Sequence, residues 1–86
     1  MQLSVELTLT PLKDDFEPAI KAFIKKLRHS GFTVLENPLS TQIYGEYQAV
    51  MDFLTQAVQE VFEQEDAVVL QMKLIKGDRS SYVPSF

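Results

Sequence analysis

The spacing of apolar residues switches repeatedly between two periods, and the order of these switches leaves few possible folds. Residues 2–10 alternate strictly, with an apolar side chain at every second position from Leu3 to Leu9. This pattern is typical of a strand with one buried face. From Phe16 to Leu27 the apolar side chains recur instead at helical spacing. The chain therefore begins with a strand followed by an amphipathic helix.

The same two periods return in the rest of the chain. Short strands are predicted at 32–36 and 41–46, joined by a turn at 37–40, and a broad helical stripe starts at Tyr47. A last alternating stretch covers 67–75. The order is β-α-β-β-α-β. With two right-handed crossovers it predicts an α+β, ferredoxin-like sandwich, in which both helices lie on one face of an antiparallel sheet.

Local signals predict where these elements end. Pro11 is expected to stop the first strand, because proline has no N–H to donate to a ladder. Asp14 or Asp15 is expected to cap the first helix, and Gly31 to follow its C-terminus. No internal linker appears, so residues 1–86 are expected to form a single domain, with 77–86 as a C-terminal tail.

The last strand carries apolar side chains on both of its faces. Val68 and Leu70 belong to one face, whereas Val69 and Ile75 belong to the other. A strand of this kind is either central in its sheet or covered by a partner subunit. A chain of 86 residues also buries a modest share of its surface, so self-association would stabilise it. We therefore expect a homo-oligomer, either a dimer or a tetramer.

Composition excludes several classes of function. The chain has no Cys and one His, which rules out thiolate and multi-histidine metal sites, and we expect neither a metal nor a cofactor. A net charge of −4 has the wrong sign for a nucleic-acid binder. We expect no signal peptide and no membrane span, since no long apolar run is present. The lack of Cys fits a reducing cytoplasm.

Catalysis has little support in the residues. The pair Glu6 and Glu46 has no spacing signature of a general acid and base, and His29 falls at a helix C-terminus, where a cation is simply favourable. We expect no enzyme activity. The sheet face opposite the helices instead carries mostly neutral hydrogen-bonding groups. That face is solvated, covered by another subunit, or used for binding a ligand.

The hairpin around the turn carries a resemblance to a known family. Pro38, Thr41, Gly45 and Glu46 match a Pro-x-x-Thr-x-x-x-Gly-Glu pattern, and the first strand runs into a proline. In these features the chain resembles the YkoF-like thiamine- or hydroxymethylpyrimidine-binding family of small ferredoxin-like domains. The resemblance implies non-catalytic binding of thiamine or its pyrimidine, in vitamin salvage or transport, and assembly through sheets.

The side chains near the hairpin suit such a ligand. An aminopyrimidine presents an amino donor between ring-nitrogen acceptors, so it needs neutral donors and acceptors side by side. Thr41 and Glu46 are carried over by the motif, and the other candidates follow from their face and proximity. The predicted ligand-binding residues are Thr8, Thr10, Ser40, Thr41, Gln42, Tyr44 and Glu46.

Two further expectations concern the ligand and the alternative function. No cluster of Lys or Arg falls near the first and third strands, so we expect unphosphorylated thiamine or its pyrimidine to bind better than the diphosphate. The alternative is a regulatory or structural assembly domain, in which the open sheet face serves only for subunit association.

Overall fold

The computed structural model describes residues 1–86 and contains six regular elements. Their four strands form one antiparallel sheet in the order β2-β3-β1-β4, and both helices pack on the same face of it. The predicted ferredoxin-like sandwich is confirmed. In chain order the elements are β1 (Gln2–Pro11), α1 (Glu17–Arg28), β2 (Thr33–Glu36), β3 (Thr41–Glu46), α2 (Tyr47–Gln64) and β4 (Val68–Lys76).

The core lies between the sheet and the two helices. The alternating apolar residues of β1 point toward the helices, and Ile43 of β3 lies beside them with no exposed surface. The helices supply the other half at helical spacing, with Phe23 and Leu27 from α1 and four residues from α2, Val50, Leu54, Ala57 and Val61. The alternating apolar residues of the strands and the helically spaced apolar residues of the helices therefore form one apolar layer.

The position of β4 corrects one expectation. The sequence allowed a central strand, but β4 lies at the edge of the sheet and pairs only with β1. The central strands are β1 and β3. The apolar residues on both faces of β4 therefore have no explanation in the sheet order itself.

β1 ends at Pro11, where the sequence predicted its end, although Pro11 itself still belongs to the strand. It lies opposite Val68, and the ladder continues until the Leu12 N–H donates to the Ala67 carbonyl at 2.9 Å. The backbone groups of every second residue of β1 face β3, and the ladder with β3 has already ended at Leu7. The N–H that proline lacks would face a side on which no strand lies, so its absence costs no ladder bond.

The start of α1 also differs from the expectation. The N-cap is Phe16, and no side chain caps the helix, so neither Asp14 nor Asp15 has the predicted role. Pro18 lies in the first turn and carries no N–H. One of the donors that a capping carboxylate would satisfy is therefore missing, which reduces what an aspartate cap would contribute.

Gly45 allows close packing between β3 and the helix layer, and this generates a prediction. A methyl group at Gly45 would lie 2.6 Å from Phe32 Cδ1 and 3.0 Å from Val50 Cγ2. The Phe32 ring packs edge-on against Phe53, with ring centroids 5.8 Å apart, so it has little room to move. We expect Gly45→Ala to lower the free energy of unfolding by about 1–3 kcal/mol, measured by urea denaturation.

A double-mutant cycle separates this packing effect from a change in strand propensity. Combining Gly45→Ala with Phe32→Leu removes the ring that the methyl group meets, so part of the loss should disappear. Strict additivity of the two substitutions would contradict the packing explanation.

Candidate functional site

The sheet divides the seven predicted ligand-binding residues into separate groups. Three of them border one hollow at the end of the β2–β3 hairpin, namely Thr8, Ser40 and Thr41. Two border a second hollow on the sheet face without helices, namely Gln42 and Tyr44. Thr10 and Glu46 border neither hollow. The predicted set is therefore not a single site in the folded chain.

We call the first of these spaces the hairpin hollow. It has a volume of about 240 Å³ and lies between β1, α1 and the turn at 37–41. Apolar side chains from α1, including Ile20 and Ile24, form one wall, whereas the turn contributes hydroxyl and amide groups. None of its ten lining residues is charged. The hairpin hollow therefore offers neutral hydrogen bonding beside an apolar wall.

The hollow exists because two paired strands differ in length. β1 has ten residues and β3 has six, and their ladder ends where Leu7 lies opposite Thr41. Asn37 then closes the turn: its N–H donates to the Ser40 carbonyl at 3.0 Å, and its Oδ1 accepts from the Leu39 and Ser40 N–H groups at 3.0 and 2.9 Å. The chain turns away before it can pair with the end of β1.

This early turn leaves a backbone group of β1 without a strand opposite. The Met1 carbonyl accepts from the Tyr47 N–H, and the Gln2 carbonyl accepts from the Gly77 N–H. These two hydrogen bonds show which residues of β1 direct their backbone groups toward β3 and which toward β4. The backbone N–H and C=O groups of odd-numbered residues in β1 point toward β3, and those of even-numbered residues point toward β4. Leu9 lines the hairpin hollow and belongs to the odd set. Its N–H and C=O therefore point together into the gap beyond the end of the ladder.

Two hydroxyl groups near the turn already have partners. The Ser40 hydroxyl donates to Glu6 Oε2 at 3.0 Å, and the Thr8 hydroxyl lies 3.4 Å from the Leu39 carbonyl. Thr41 is buried on the helix side of the sheet, with 6% of its surface exposed. The Ser40 and Thr8 contacts tie the turn to β1, so the rim of the hollow is held in place by the residues that line it.

The second space, the open-face hollow, contains two cations that sequence reasoning did not place there. It has a volume of about 190 Å³, and Glu6, Lys73 and Arg79 are among its lining residues. Lys73 lies opposite Glu6 across the β1–β4 ladder, with Nζ 3.9 Å from Oε1. The expectation that no cluster of Lys or Arg lies near the first and third strands is therefore wrong for this face. These cations reach β1 through the tertiary pairing of β4, which chain spacing does not show.

The start of the C-terminal tail is anchored at the same hollow. Ser4 is buried; its hydroxyl donates to the Gly77 carbonyl at 2.7 Å and accepts from the Arg79 N–H at 2.9 Å. Beyond this anchor, Tyr82 and Phe86 are exposed. The residues after Ser80 therefore cover neither hollow.

Tyr44 and Gln42 form a neutral pair in the open-face hollow. The Tyr44 hydroxyl donates to Gln42 Oε1 at 2.8 Å. Burial raises the pKa of the Tyr44 hydroxyl, and the carboxylates of Asp78 and Glu6 raise it further. Tyr44 is therefore a neutral donor across the physiological pH range.

Glu46 has a structural role that the sequence did not predict. It is the N-cap of α2, and its Oε2 accepts from the Ala49 N–H at 2.8 Å. Hydrogen bonds from the backbone N–H groups of Ala49 and Gln48 lower the pKa of this carboxyl. Thr10, the other predicted residue outside both hollows, is exposed opposite Val69.

The depressed pKa of Glu46 predicts a dependence of stability on pH. Its folded-state pKa is lower than its unfolded value, so the ionised cap stabilises the fold above the ordinary carboxyl range, and this contribution is lost as the pH falls through the folded-state pKa. We expect Glu46→Gln to lower the unfolding temperature at about pH 7 but much less at about pH 3. An equal shift at both pH values would contradict the capping role of the carboxylate.

Comparison with known proteins identifies the family. The profile of a family described as thiamine-binding protein matches residues 5–82. The chain belongs to this thiamine-binding protein family. The resemblance inferred from the hairpin is thereby confirmed. Among curated proteins nothing matches the chain.

Solved structures share the fold. A protein from Streptococcus pneumoniae is 26% identical, with a TM-score of 0.83 over 94% of this chain and 92% of its own. A proposed thiamine biosynthesis/salvage protein from Thermotoga maritima is 21% identical, with a TM-score of 0.78 over 86% and 82%. A domain of unknown function from Bacillus cereus is 18% identical, with a TM-score of 0.74 over 99% and 84%.

Neither helix of this chain is both long and apolar enough to cross a membrane.

Several residues of the hairpin hollow were not predicted from the sequence. Asn37, Ile20, Ile24 and Leu9 line it, and the register of the β1–β3 ladder directs the backbone groups of Leu9 toward it. One signal was available: the first predicted strand was clearly longer than the third. Unequal lengths in neighbouring antiparallel strands leave unpaired backbone at one end, and such backbone is a natural place for a ligand.

Proposed function

We propose that this protein binds thiamine or its hydroxymethylpyrimidine moiety without catalysing a reaction, and that the ring occupies the hairpin hollow. Membership of the thiamine-binding family supports the class of ligand. The hairpin hollow is the space that combines three of the predicted residues with an uncharged lining. In this proposal the protein serves vitamin salvage or transport, as one domain over residues 1–86.

The unpaired backbone of Leu9 is the observation that carries this proposal. Its N–H and C=O face the same gap, so they form a donor and an acceptor side by side. An aminopyrimidine presents the complementary pair, a ring nitrogen that accepts and an amino group that donates. The ring would complete the β1 ladder in the place of the missing strand residue, and it would satisfy backbone groups that otherwise need water.

The size and walls of the hollow suit one ring rather than the whole vitamin. Its volume of about 240 Å³ lies below the ~300–1,000 Å³ of pockets that enclose drug-sized ligands. Ile20 and Ile24 provide an apolar surface for a ring face, and Thr41 and Asn37 provide further polar contacts. The remainder of thiamine would then extend outward from the hairpin.

The lack of charged side chains in the hairpin hollow also bears on phosphorylated forms of the ligand. No cation lines the hairpin hollow, so nothing there would neutralise a diphosphate. We expect isothermal titration calorimetry to give tighter binding for thiamine and hydroxymethylpyrimidine than for thiamine diphosphate. Tighter binding of the diphosphate would contradict a site in this hollow. Chromatography of the recovered ligand should show it unchanged, in keeping with binding alone.

Matched threonine substitutions test the location of the site. Thr41→Val keeps the shape of the side chain and removes one hydroxyl, so we expect affinity for the pyrimidine to fall by up to about tenfold. Thr10→Val is the control, because Thr10 is exposed and lies outside the hairpin hollow. Calorimetry of both variants should separate them.

A substitution in the open-face hollow completes this test. Gln42→Met keeps a side chain of similar length and removes the amide from that hollow. We expect unchanged affinity. A loss with Gln42→Met and none with Thr41→Val would move the site to the open face and contradict the proposal.

The predicted homo-oligomer and cytoplasmic location are also proposed. A chain without Cys has no disulfides that would need an oxidising compartment. For the alternative function, an assembly domain, the specific observation is the exposed apolar character of β4 rather than of the open face as a whole. Binding and assembly are compatible, since the hairpin hollow and β4 lie on different sides of β1.

A further inference from the structure

We propose that the open-face hollow is a second ligand site, which binds the carboxylate group of a small organic acid. This hollow shares no lining residue with the hairpin hollow, so the inference is separate from the proposed binding of thiamine. The class of ligand follows from the shape of the hollow, from the hydrogen-bond donors around it and from its charge.

The open-face hollow forms where a small side chain lies between two large ones. Tyr44, Ser4 and Ile75 make one row across β3, β1 and β4, because Ser4 pairs with both of the others. Cross-strand neighbours on one face have Cβ atoms about 4.5–5.5 Å apart, so the short Ser4 side chain leaves a depression between its neighbours. The Tyr44 and Ile75 side chains line this depression, which has a volume of about 190 Å³. A small hydrocarbon group would therefore find apolar surface on two sides.

The next row across the sheet supplies hydrogen-bond donors. It contains Gln42, Glu6 and Lys73, which pair in register across the same three strands. The Gln42 Oε1 already accepts from the Tyr44 hydroxyl at 2.8 Å, so the amide has its Nε2 hydrogens left to donate.

The Lys73 ammonium is held only weakly within the chain. Its Nζ lies 3.9 Å from Glu6 Oε1, the longest of the five ion pairs, and 73% of the Lys73 side chain is exposed. An exposed pair of this length contributes little to stability. The ammonium can therefore turn toward a ligand without loss of a strong contact.

Arg79 is fixed at the floor of the hollow through its backbone. The buried Ser4 hydroxyl accepts from the Arg79 N–H at 2.9 Å and donates to the Gly77 carbonyl at 2.7 Å. Gly77 has a φ of 99°, a conformation that glycine adopts without strain, and there the chain turns back after β4. This turn brings a cation from the tail against the central strand.

The guanidinium group of Arg79 has no carboxylate partner. Its contact is a long one, from Nη2 to the Lys76 carbonyl at 3.4 Å. The neighbouring Asp78 carboxylate accepts instead from the N–H and the hydroxyl of Ser80, at 2.9 and 2.6 Å. The planar donor fork of arginine, which matches the two oxygens of a carboxylate, is thus left unused at the edge of the hollow.

The charge of the hollow favours a carboxylate over a phosphate. Its lining has two cations, Lys73 and Arg79, and one carboxylate, Glu6, so the sum is one positive charge. A carboxylate neutralises this charge, and its oxygens only accept, as the guanidinium, ammonium and amide donors require. A phosphate monoester carries about −1.5 to −2 at pH 7 and would leave excess negative charge beside Glu6.

An NMR titration of the full chain with benzoate tests the class of ligand. We expect saturable shifts of the Ser4, Tyr44 and Arg79 amide signals at millimolar benzoate, and binding at least about tenfold weaker for benzamide, which has the same shape without the charge. Phenyl phosphate should bind more weakly than benzoate. Equal binding of benzamide, or no saturable shift with benzoate, would overturn the proposal. Tighter binding of phenyl phosphate would refute the carboxylate assignment.

Charge-matched variants test the location. Arg79→Gln and Lys73→Gln should each weaken benzoate binding by about five- to tenfold, because each removes a charged donor. Lys76→Gln is the control: it removes the same charge from β4, but Lys76 pairs with Leu3 and does not line the hollow. We expect less than about a twofold change for Lys76→Gln, with all three variants folded by circular dichroism. Equal losses in all three would indicate diffuse attraction and no site.

Reciprocal titrations distinguish this site from the hairpin hollow. Gln42→Met should weaken benzoate binding and leave hydroxymethylpyrimidine binding unchanged, whereas Thr41→Val should do the reverse. Weaker benzoate binding with Thr41→Val alone would place the acid in the hairpin hollow and contradict this proposal. If the pyrimidine binds and benzoate does not, the open-face site is wrong and the proposed function stands.

Discussion

The central strand β1 pairs along more of its length with β4 than with β3, and the rest of the structure depends on this difference. β4 follows β1 as far as Pro11, whereas β3 follows it only to Leu7. The core needs this central strand, because its alternating apolar residues form the layer against which both helices pack. The same difference in length opens the hairpin hollow and leaves Leu9 without a strand opposite on one side. In our proposal, this one mismatch in strand length provides a place for a ligand without disturbing the core.

The residues that carry the family resemblance are largely structural in the folded chain. Gly45 leaves room for the Phe32 ring, and Glu46 caps α2. Thr41 pairs with Leu7 at the last rung of the ladder and borders the hollow, and Pro38 belongs to the turn beside it. The motif residues therefore specify the conformation of this hairpin and its packing against the helices. In our proposal, the ligand contacts come from what that hairpin leaves open, including a backbone group that has no side-chain signature.

The two sides of the sheet differ in chemistry. The hairpin hollow has no charged lining residue, whereas the open-face hollow brings together Glu6, Lys73 and Arg79. The difference follows from which strand lies next to β1 on each side, since β4 supplies lysine and the short turn supplies hydroxyl and amide groups. In our proposal, the neutral heterocycle uses only the uncharged side of this small domain. The exposed edge of β4 lies away from the hairpin, so assembly would leave the hairpin hollow accessible.

The sequence by itself determined the element order, the fold class and the family, because periods of two and 3.6 residues are local properties and the hairpin motif is contiguous. It also placed Thr8, Ser40 and Thr41 near the hairpin. Only the tertiary structure decided that Gln42 and Tyr44 lie across the sheet from Thr41, that Glu46 is a cap and that β4 is an edge. Each of these depends on register and strand order, which bring together residues such as Ser4 and Arg79, 75 positions apart. Local spacing carries no information on contacts at that distance.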